Sequence, residues 1–287
     1  LVGDAGLGKS RILLEFERWV RRQAAPAQIF IGRSLRSLAD TPYGLLRDLF
    51  AEQFGIQDSD APETVERKLR GAIQSVLPGQ PDAAALIGRL LGFTPDNAPG
   101  RPLMDDPEVL QNQAIARLTD YFAALSADRP VVALIEDLHW ADDSSLDLLE
   151  RLNRGRGGRR LLLVGTARPE LAERRPAWRE DAGHVQWIEL GQLSAADAGR
   201  LLLALLEPAA HIPPQLVEQI TTAADGNPFF VEEIVKVLIE DGVIDTGVQP
   251  WTVDEGRLQQ VRLPQTLNGV LQARLDSLQN DARTALQ

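Results

Sequence analysis

Apolar positions along the chain fall into two kinds of pattern, and their alternation predicts the fold. Short continuous runs mark strands covered on both faces: Gln28-Ile29-Phe30-Ile31-Gly32, Val131-Val132-Ala133-Leu134-Ile135 and Leu161-Leu162-Leu163-Val164-Gly165. Leu1-Val2 reads as the end of a first strand, and Val185 to Leu190 predicts a fifth. Helical spacing fills the intervals. Ile12, Phe16, Trp19 and Val20 recur at helical steps with Arg11, Glu15, Glu17 and Arg18 between them. Leu45, Leu46, Leu49 and Phe50 open another helix; Val65, Leu69 and Ile73 mark the next, ending at the Pro78-Gly79 breaker; Leu86, Leu90 and Leu91 form a shorter one. Gly92 to Pro107, rich in glycine and proline, predicts a loop, after which Val109, Leu110, Ile115, Leu118, Phe122 and Leu125 predict one long amphipathic helix. This helical insertion covers about residues 42–128. Strands alternating with helices predict an α/β fold with a parallel sheet and right-handed crossovers.

From about residue 193 the pattern turns helical. Ser194 with Asp197 predicts a capping box before Leu201, Leu202 and Leu205. A second helix is predicted from Pro214 to Ala223. Asn227 as N-cap and Pro228 at the first helical position open a third, which carries Phe230, Ile234, Val237 and Leu238 and stops at Gly242. Val243 to Val253 predicts a hairpin, and Leu267, Val270, Leu271, Leu275 and Leu278 one more helix.

Residues able to do chemistry gather at the carboxyl ends of the predicted strands, where open parallel sheets bind ligands. Gly3, Gly8, Lys9 and Ser10 stand at the G-x-x-x-x-G-K-[ST] spacing of a phosphate-binding loop. Glycines let the backbone fold tightly, so that successive N–H groups point at phosphate oxygens, and the following helix adds the positive end of its dipole. Asp4, Ala5, Gly6 and Leu7 complete the loop, Arg11 follows it, Lys9 is placed to reach the β/γ-phosphates and Ser10 to ligate Mg²⁺. Glu136 and Asp137 end the most apolar strand. In extended chain they point to opposite sides, so one is expected to face the metal and the other to orient the attacking water. Arg168 follows the fourth strand, where a guanidinium can stabilise charge developing on a γ-phosphate; its competing reading is a solvated arginine in a loop that also holds Arg174 and Arg175. Trp140 reads as packing, with stacking on a base as the competing reading. Pro228 reads either as helix initiation or as a contact to the nucleotide.

The chain carries 41 acidic and 30 basic residues, a formal net charge of −11, which disfavours general attraction to nucleic acid or an anionic membrane. The absence of cysteine excludes disulfides and thiolate metal sites and is compatible with a reducing cytoplasm. His139, His184 and His211 are scattered, which argues against a histidine metal site. No apolar run approaches a membrane span and no signal peptide is visible. With no initiating Met and the first strand already under way at Leu1, the sequence is expected to be part of a longer protein.

The strings GDAGLGKS, VVALIEDLHWADDSS, LLLVGTARPEL and ADGNPFFVEEIVKVL together resemble the signal-transduction ATPases with numerous domains, the STAND group of the AAA+-related P-loop class. The resemblance is nearest to bacterial modules beside adenylate/guanylate cyclase domains, in LuxR-type regulators and in some serine/threonine kinases. It implies a P-loop NTPase with a five-stranded parallel sheet of order 5-1-4-3-2, then a helical lid and a winged-helix region. The corresponding division is a core at 1–192, a lid at 193–242 and the start of the winged-helix region at 243–287. It also implies ATP or ADP with Mg²⁺, Lys9 and Ser10 as Walker A residues, Glu136 and Asp137 as the Walker B pair, Arg168 as sensor arginine, and Gly226-Asn227-Pro228 as the lid motif over the nucleotide. Glu136 stands where many P-loop enzymes have Asp, and Asp137 where a motor ATPase would have Glu, which points to slow hydrolysis. Three functions compete: a cytoplasmic nucleotide switch acting on attached sensor and output domains, with nucleotide-dependent self-association; a multi-turnover motor ATPase; and a non-hydrolysing nucleotide-binding scaffold.

Overall fold

The most apolar run forms the central strand of the sheet. In a computed structural model of the chain, β2 (Val131–Glu136) pairs in parallel with β1 (Gln28–Arg33) on one side and β3 (Leu161–Gly165) on the other. The structure describes residues 1–94, 106–154, 160–181, 183–259, 261 and 269. They divide into two compact units, one of Leu1–Gly3 with Lys9–Glu189, the other of Asp4–Gly8 with Leu190–Gln287.

In the first unit, successive β2 residues serve opposite faces of the sheet, as strand pleating requires. Val131, Ala133 and Ile135 join the larger core, while Val132 and Leu134 pack with Leu13 and Val20 of α1 (Lys9–Arg21). The larger core is built on the helical insertion: α2 (Gly44–Phe54), α3 (Pro62–Val76), α4 (Ala83–Leu90) and α5 (Pro107–Asp128). Rings of Phe30, Phe50, Tyr121 and Phe122 meet at centroid separations of 5.5–6.0 Å and join β1 to α2 and α5. Beyond β3 the parallel pairing continues as single bridges, from Val2 to Ala167 and from Val2 to Glu189. Val2 N–H donates to the Ile188 carbonyl at 2.9 Å, and Ala167 N–H to that of Leu1 at 2.9 Å. The expected first and fifth strands are thus represented by bridges among the described residues. Leu1-Val2 is too short to carry a ladder, and a neighbour that pairs only with Val2 forms none either.

The apolar face of α1 is not the one its spacing predicts. Leu13 and Val20 are buried with Phe16 partly so, whereas Ile12 is 41% and Trp19 57% exposed. Ile12-Leu13-Leu14 offers two overlapping stripes with the same period, and contact with Val132 and Leu134 selects between them. Three helices that no run announced complete this unit: α6 (Asp143–Arg154), α7 (Glu170–Arg174) and α8 (Pro176–Glu180).

The second unit follows its caps closely. α9 (Ala195–Leu205) starts at Ser194, whose hydroxyl accepts from Asp197 N–H at 3.1 Å; α10 (Pro214–Ala224) follows. α11 (Pro228–Glu240) starts at Asn227, whose Oδ1 accepts from Phe230 N–H at 3.2 Å. Leu202, Leu216, Ile220, Phe230, Ile234 and Leu238 form its core. The predicted hairpin is present as β4 (Ile244–Asp245) antiparallel to β5 (Thr252–Val253), followed by α12 (Glu255–Leu258). The helix predicted through Leu267 and Leu278 lies outside the described residues.

Candidate functional site

Within the first unit, the end of β2 meets the first turn of α1. The Ser10 hydroxyl donates to Glu136 Oε2 at 2.8 Å, and Lys9 Nζ donates to the Gly3 carbonyl at 2.7 Å. Asp137 follows a different course. It leaves the strand in a left-handed conformation, φ 58°, rather than extended, so the two carboxylates are not simply on opposite sides of a strand. Its N–H donates to Thr166 Oγ1 at 3.1 Å, and its Oδ2 accepts from Arg33 Nε and Nη2, each at 3.3 Å. Arg33 is the last residue of β1, in register with Glu136, so strand pairing itself delivers the guanidinium to the acidic pair.

The loop after Asp137 is tied down on several sides. Asp142, 4% exposed, accepts from Tyr43 N–H at 2.8 Å and Leu45 N–H at 3.4 Å at the start of α2, and from Ser145 N–H at 2.8 Å and Ser145 Oγ at 2.6 Å in α6. One carboxylate therefore caps two helices. Arg174 of α7 donates to the carbonyls of His139, 2.8 Å, and Ala141, 3.0 Å, and to Asp143 Oδ1, 3.0 Å. Arg175 holds Asp143 and Asp147, so neither arginine is merely solvated. The hydrogen bonds from Arg175 and Arg174 hold the Asp143 carboxyl below its ordinary range. His139 is buried with neither ring nitrogen hydrogen-bonded among the described residues; burial lowers its pKa despite the nearby Asp137 charge. Trp140 packs, as expected: the His139 ring lies 4.9 Å away and the Arg36 guanidinium sits 5.2 Å over its own ring.

Arg168 is exposed and makes no side-chain hydrogen bond or ion pair among the described residues. Arg11 lies on the outer side of α1, paired with Glu15 at 2.9 Å.

The second unit holds the middle of the phosphate-loop sequence, Asp4–Gly8. Gly6 and Gly8 have φ of 83° and 86°, conformations that L side chains rarely adopt. Asn227 Nδ2 donates to the Ala5 carbonyl at 3.2 Å, and Phe229 N–H to that of Gly6 at 3.3 Å. A Cβ on Gly6 would meet Asn227 Oδ1 at 2.6 Å; one on Gly8 would have Pro228 Cγ as its nearest neighbour, at 3.9 Å. The start of α11 is therefore closed by a side chain and by the loop: Pro228 has no N–H to satisfy, Phe229 gives its own to Gly6, and Phe230 gives its own to Asn227.

Arg33, Thr166, Asp142 and Arg174 were not singled out by sequence reasoning. Arg33 had the same signal as Arg168, a basic residue closing an apolar strand. Asp142 with Ser145 had the spacing of an N-cap before Leu146.

A hydroxyl bonded to a carboxylate is the hard-oxygen pair that Mg²⁺ prefers, and left-handed glycines followed by Lys9 suit polyphosphate oxygens. The residues present thus fit a Mg²⁺ nucleoside triphosphate, which defines the class: a P-loop nucleotide-binding protein. An AAA ATPase domain matches residues 1–164, and the chain belongs to that family. A domain of unknown function (DUF8739) matches residues 197–246. An uncharacterized protein of Rhizobium meliloti (strain 1021) is 28% identical over 250 residues, which are 85% of this chain and 23% of that protein. The chain thus spans less than a quarter of that relative's length. Among the described residues no helix is long and apolar enough to cross a membrane, and no group of three or more His, Asp or Glu side chains is placed to hold a metal.

Proposed function

We propose that the chain is an ATP-binding, slowly hydrolysing switch module of the STAND type that regulates an attached output domain. The observation that carries this reading is the hydrogen bond from the Ser10 hydroxyl to Glu136 Oε2 at the first turn of α1, the hydroxyl–carboxylate pair that a Mg²⁺ nucleotide site requires. Within the second unit, the left-handed glycine segment Asp4–Gly8 is bonded to Asn227 and Phe229 at the start of α11, which supports a lid motif there. The bridges Glu189–Val2 and Val2–Ala167, taken with β3, β2 and β1, support a sheet order of 5-1-4-3-2. The hairpin of β4 and β5 supports a winged-helix region beginning near residue 243.

In this reading the backbone from Gly3 to Gly8 cradles the phosphates, and Lys9 leaves the Gly3 carbonyl to neutralise β/γ oxygens. Ser10 and Glu136 would hold Mg²⁺, which when bound would supply charge neutralisation at the phosphate oxygens. Asp137 would orient the attacking water and Arg168 would stabilise charge developing on the γ-phosphate, while Pro228 and Arg11, the latter paired with Glu15 on the outer side of α1, are candidate nucleotide contacts. The Arg33 ion pair on Asp137 supports slow turnover, because Oδ2, already accepting from Nε and Nη2 of a guanidinium, is less free to orient the attacking water.

Single-turnover hydrolysis of labelled ATP with Mg²⁺ and excess protein tests the proposal, together with solution scattering in ATP and in ADP. Slow cleavage lost in Lys9→Ala and in Asp137→Asn, with distinct scattering profiles for the two nucleotides, is the expected result. Identical profiles would leave a nucleotide-stabilised scaffold. Turnover well above about one per minute, approaching ordinary enzyme rates, would make the protein a motor.

A further inference from the structure

We propose that Arg174 is a positioning residue that transmits the state of the Arg168 segment to Asp137, an inference resting on the hydrolytic reading above. Asp137 needs such support. Its left-handed backbone carries a steric cost for a non-glycine residue, and such a conformation persists only where surrounding contacts over-determine it. Three sets of contacts do so. The end of β3 supplies Thr166, whose Oγ1 accepts from Asp137 N–H and whose carbonyl accepts from Leu138 N–H at 2.8 Å. Asp142 fastens the far end of the loop to α2 and α6. Arg174 supplies the third, through the carbonyls of His139 and Ala141 on either side of Trp140.

Of these three, Arg174 alone comes from the helix that grows out of the Arg168 turn. The Arg168 carbonyl accepts from Leu171 N–H at 3.1 Å, and α7 runs from there to Arg174 within five residues. A shift of the Arg168 backbone on meeting a γ-phosphate therefore moves α7, and the fork of Arg174 passes the shift to the two carbonyls of the Asp137 loop. The chemistry demands arginine. Two carbonyls and the Asp143 carboxylate lie around one planar guanidinium, a geometry that a lysine ammonium would meet as a point charge without the fork.

The test compares native protein with Arg174→Ala, Arg174→Lys, Arg168→Ala and the double alanine variant. Four quantities are measured: the Kd for Mg·ATP, the single-turnover rate constant, the melting temperature, and the resonance of 5-fluorotryptophan at position 140, assigned with Trp140→Phe. The expected result is a rate loss of about tenfold in Arg174→Ala at a Kd within about twofold, partial rescue in Arg174→Lys, and a double variant no slower than Arg168→Ala alone, as coupled residues require. Multiplied losses in the double variant, or a parallel fall of rate, binding and melting temperature, would overturn the proposal. If the native protein binds Mg·ATP without cleaving it, the hydrolytic reading fails and the Trp140 resonance decides the transmission alone. A shift on Mg·ATP addition that disappears in Arg174→Ala upholds the transmission, and no shift in the native protein, or one that persists in Arg174→Ala, refutes it.

Discussion

Asp137 and Gly6 show how single residues set the behaviour of the site. The exposed ion pair between Arg33 and Asp137 is worth roughly 0.2–1 kcal/mol, so Arg33→Ala should raise the single-turnover rate constant by at most about fivefold with Mg·ATP affinity little changed. A lower rate in that variant would mean that Arg33 serves the reaction rather than restraining Asp137. Gly6 has a harder constraint. Alanine there meets both a left-handed backbone and the Asn227 amide, which cannot retreat without releasing the N-cap bond to Phe230. Gly6→Ala should therefore cost about 1–2 kcal/mol, read by urea denaturation, and weaken nucleotide binding as well. The loop glycines, Lys9 and Ser10 stood out as candidates in the sequence because their spacing is itself the signal, and Glu136 because it ends the most apolar run. Arg33 was not, since an arginine closing a strand looks like any solvated end until register sets it beside its partner.

Among the elements, helix ends carry the organisation of the site. Asp142 caps α2 and α6 together, although about a hundred residues of chain separate them. Asp142→Ala would strand buried N–H groups at Tyr43 and Ser145, at a cost of about 3 kcal/mol, and Asp142→Asn should recover part of it. Thermal and urea unfolding of the two variants measures this directly; equal losses would show that charge, not geometry, holds the junction. The strands, α11 and the insertion helices could be read from continuous runs, caps and breakers. The helices α7 and α8 could not be read, because they are single turns held by arginine bonds and ion pairs and not by a long apolar stripe, whereas α6, with Leu146, Leu148, Leu149 and Leu152 buried, carried a stripe that the sequence reading missed. The buried side of α1 was misread for the opposite reason: an excess of apolar residues gives a period without a phase.

Over the whole molecule, nucleotide binding should register as stability. A ligand present at a hundred times its Kd stabilises what it binds by about 2.7 kcal/mol. In the proposed reading that gain should appear as slowed amide exchange in α1, whose first turn carries Lys9 and Ser10, when Mg·ATP is added. Unchanged exchange in α1 would remove the basis for a nucleotide site there. The α/β class, the insertion and the turn to helices near residue 193 were visible in the alternation of runs and stripes. The grouping of Asp4–Gly8 with the second unit was not, because it depends on hydrogen bonds between residues more than two hundred positions apart. That grouping also governs how such modules can be recombined. A second unit exchanged with a relative through a single breakpoint at Glu189 would lose the loop that its own Asn227 holds, so a working hybrid needs residues 4–8 transplanted along with it, an inheritance in two separated pieces.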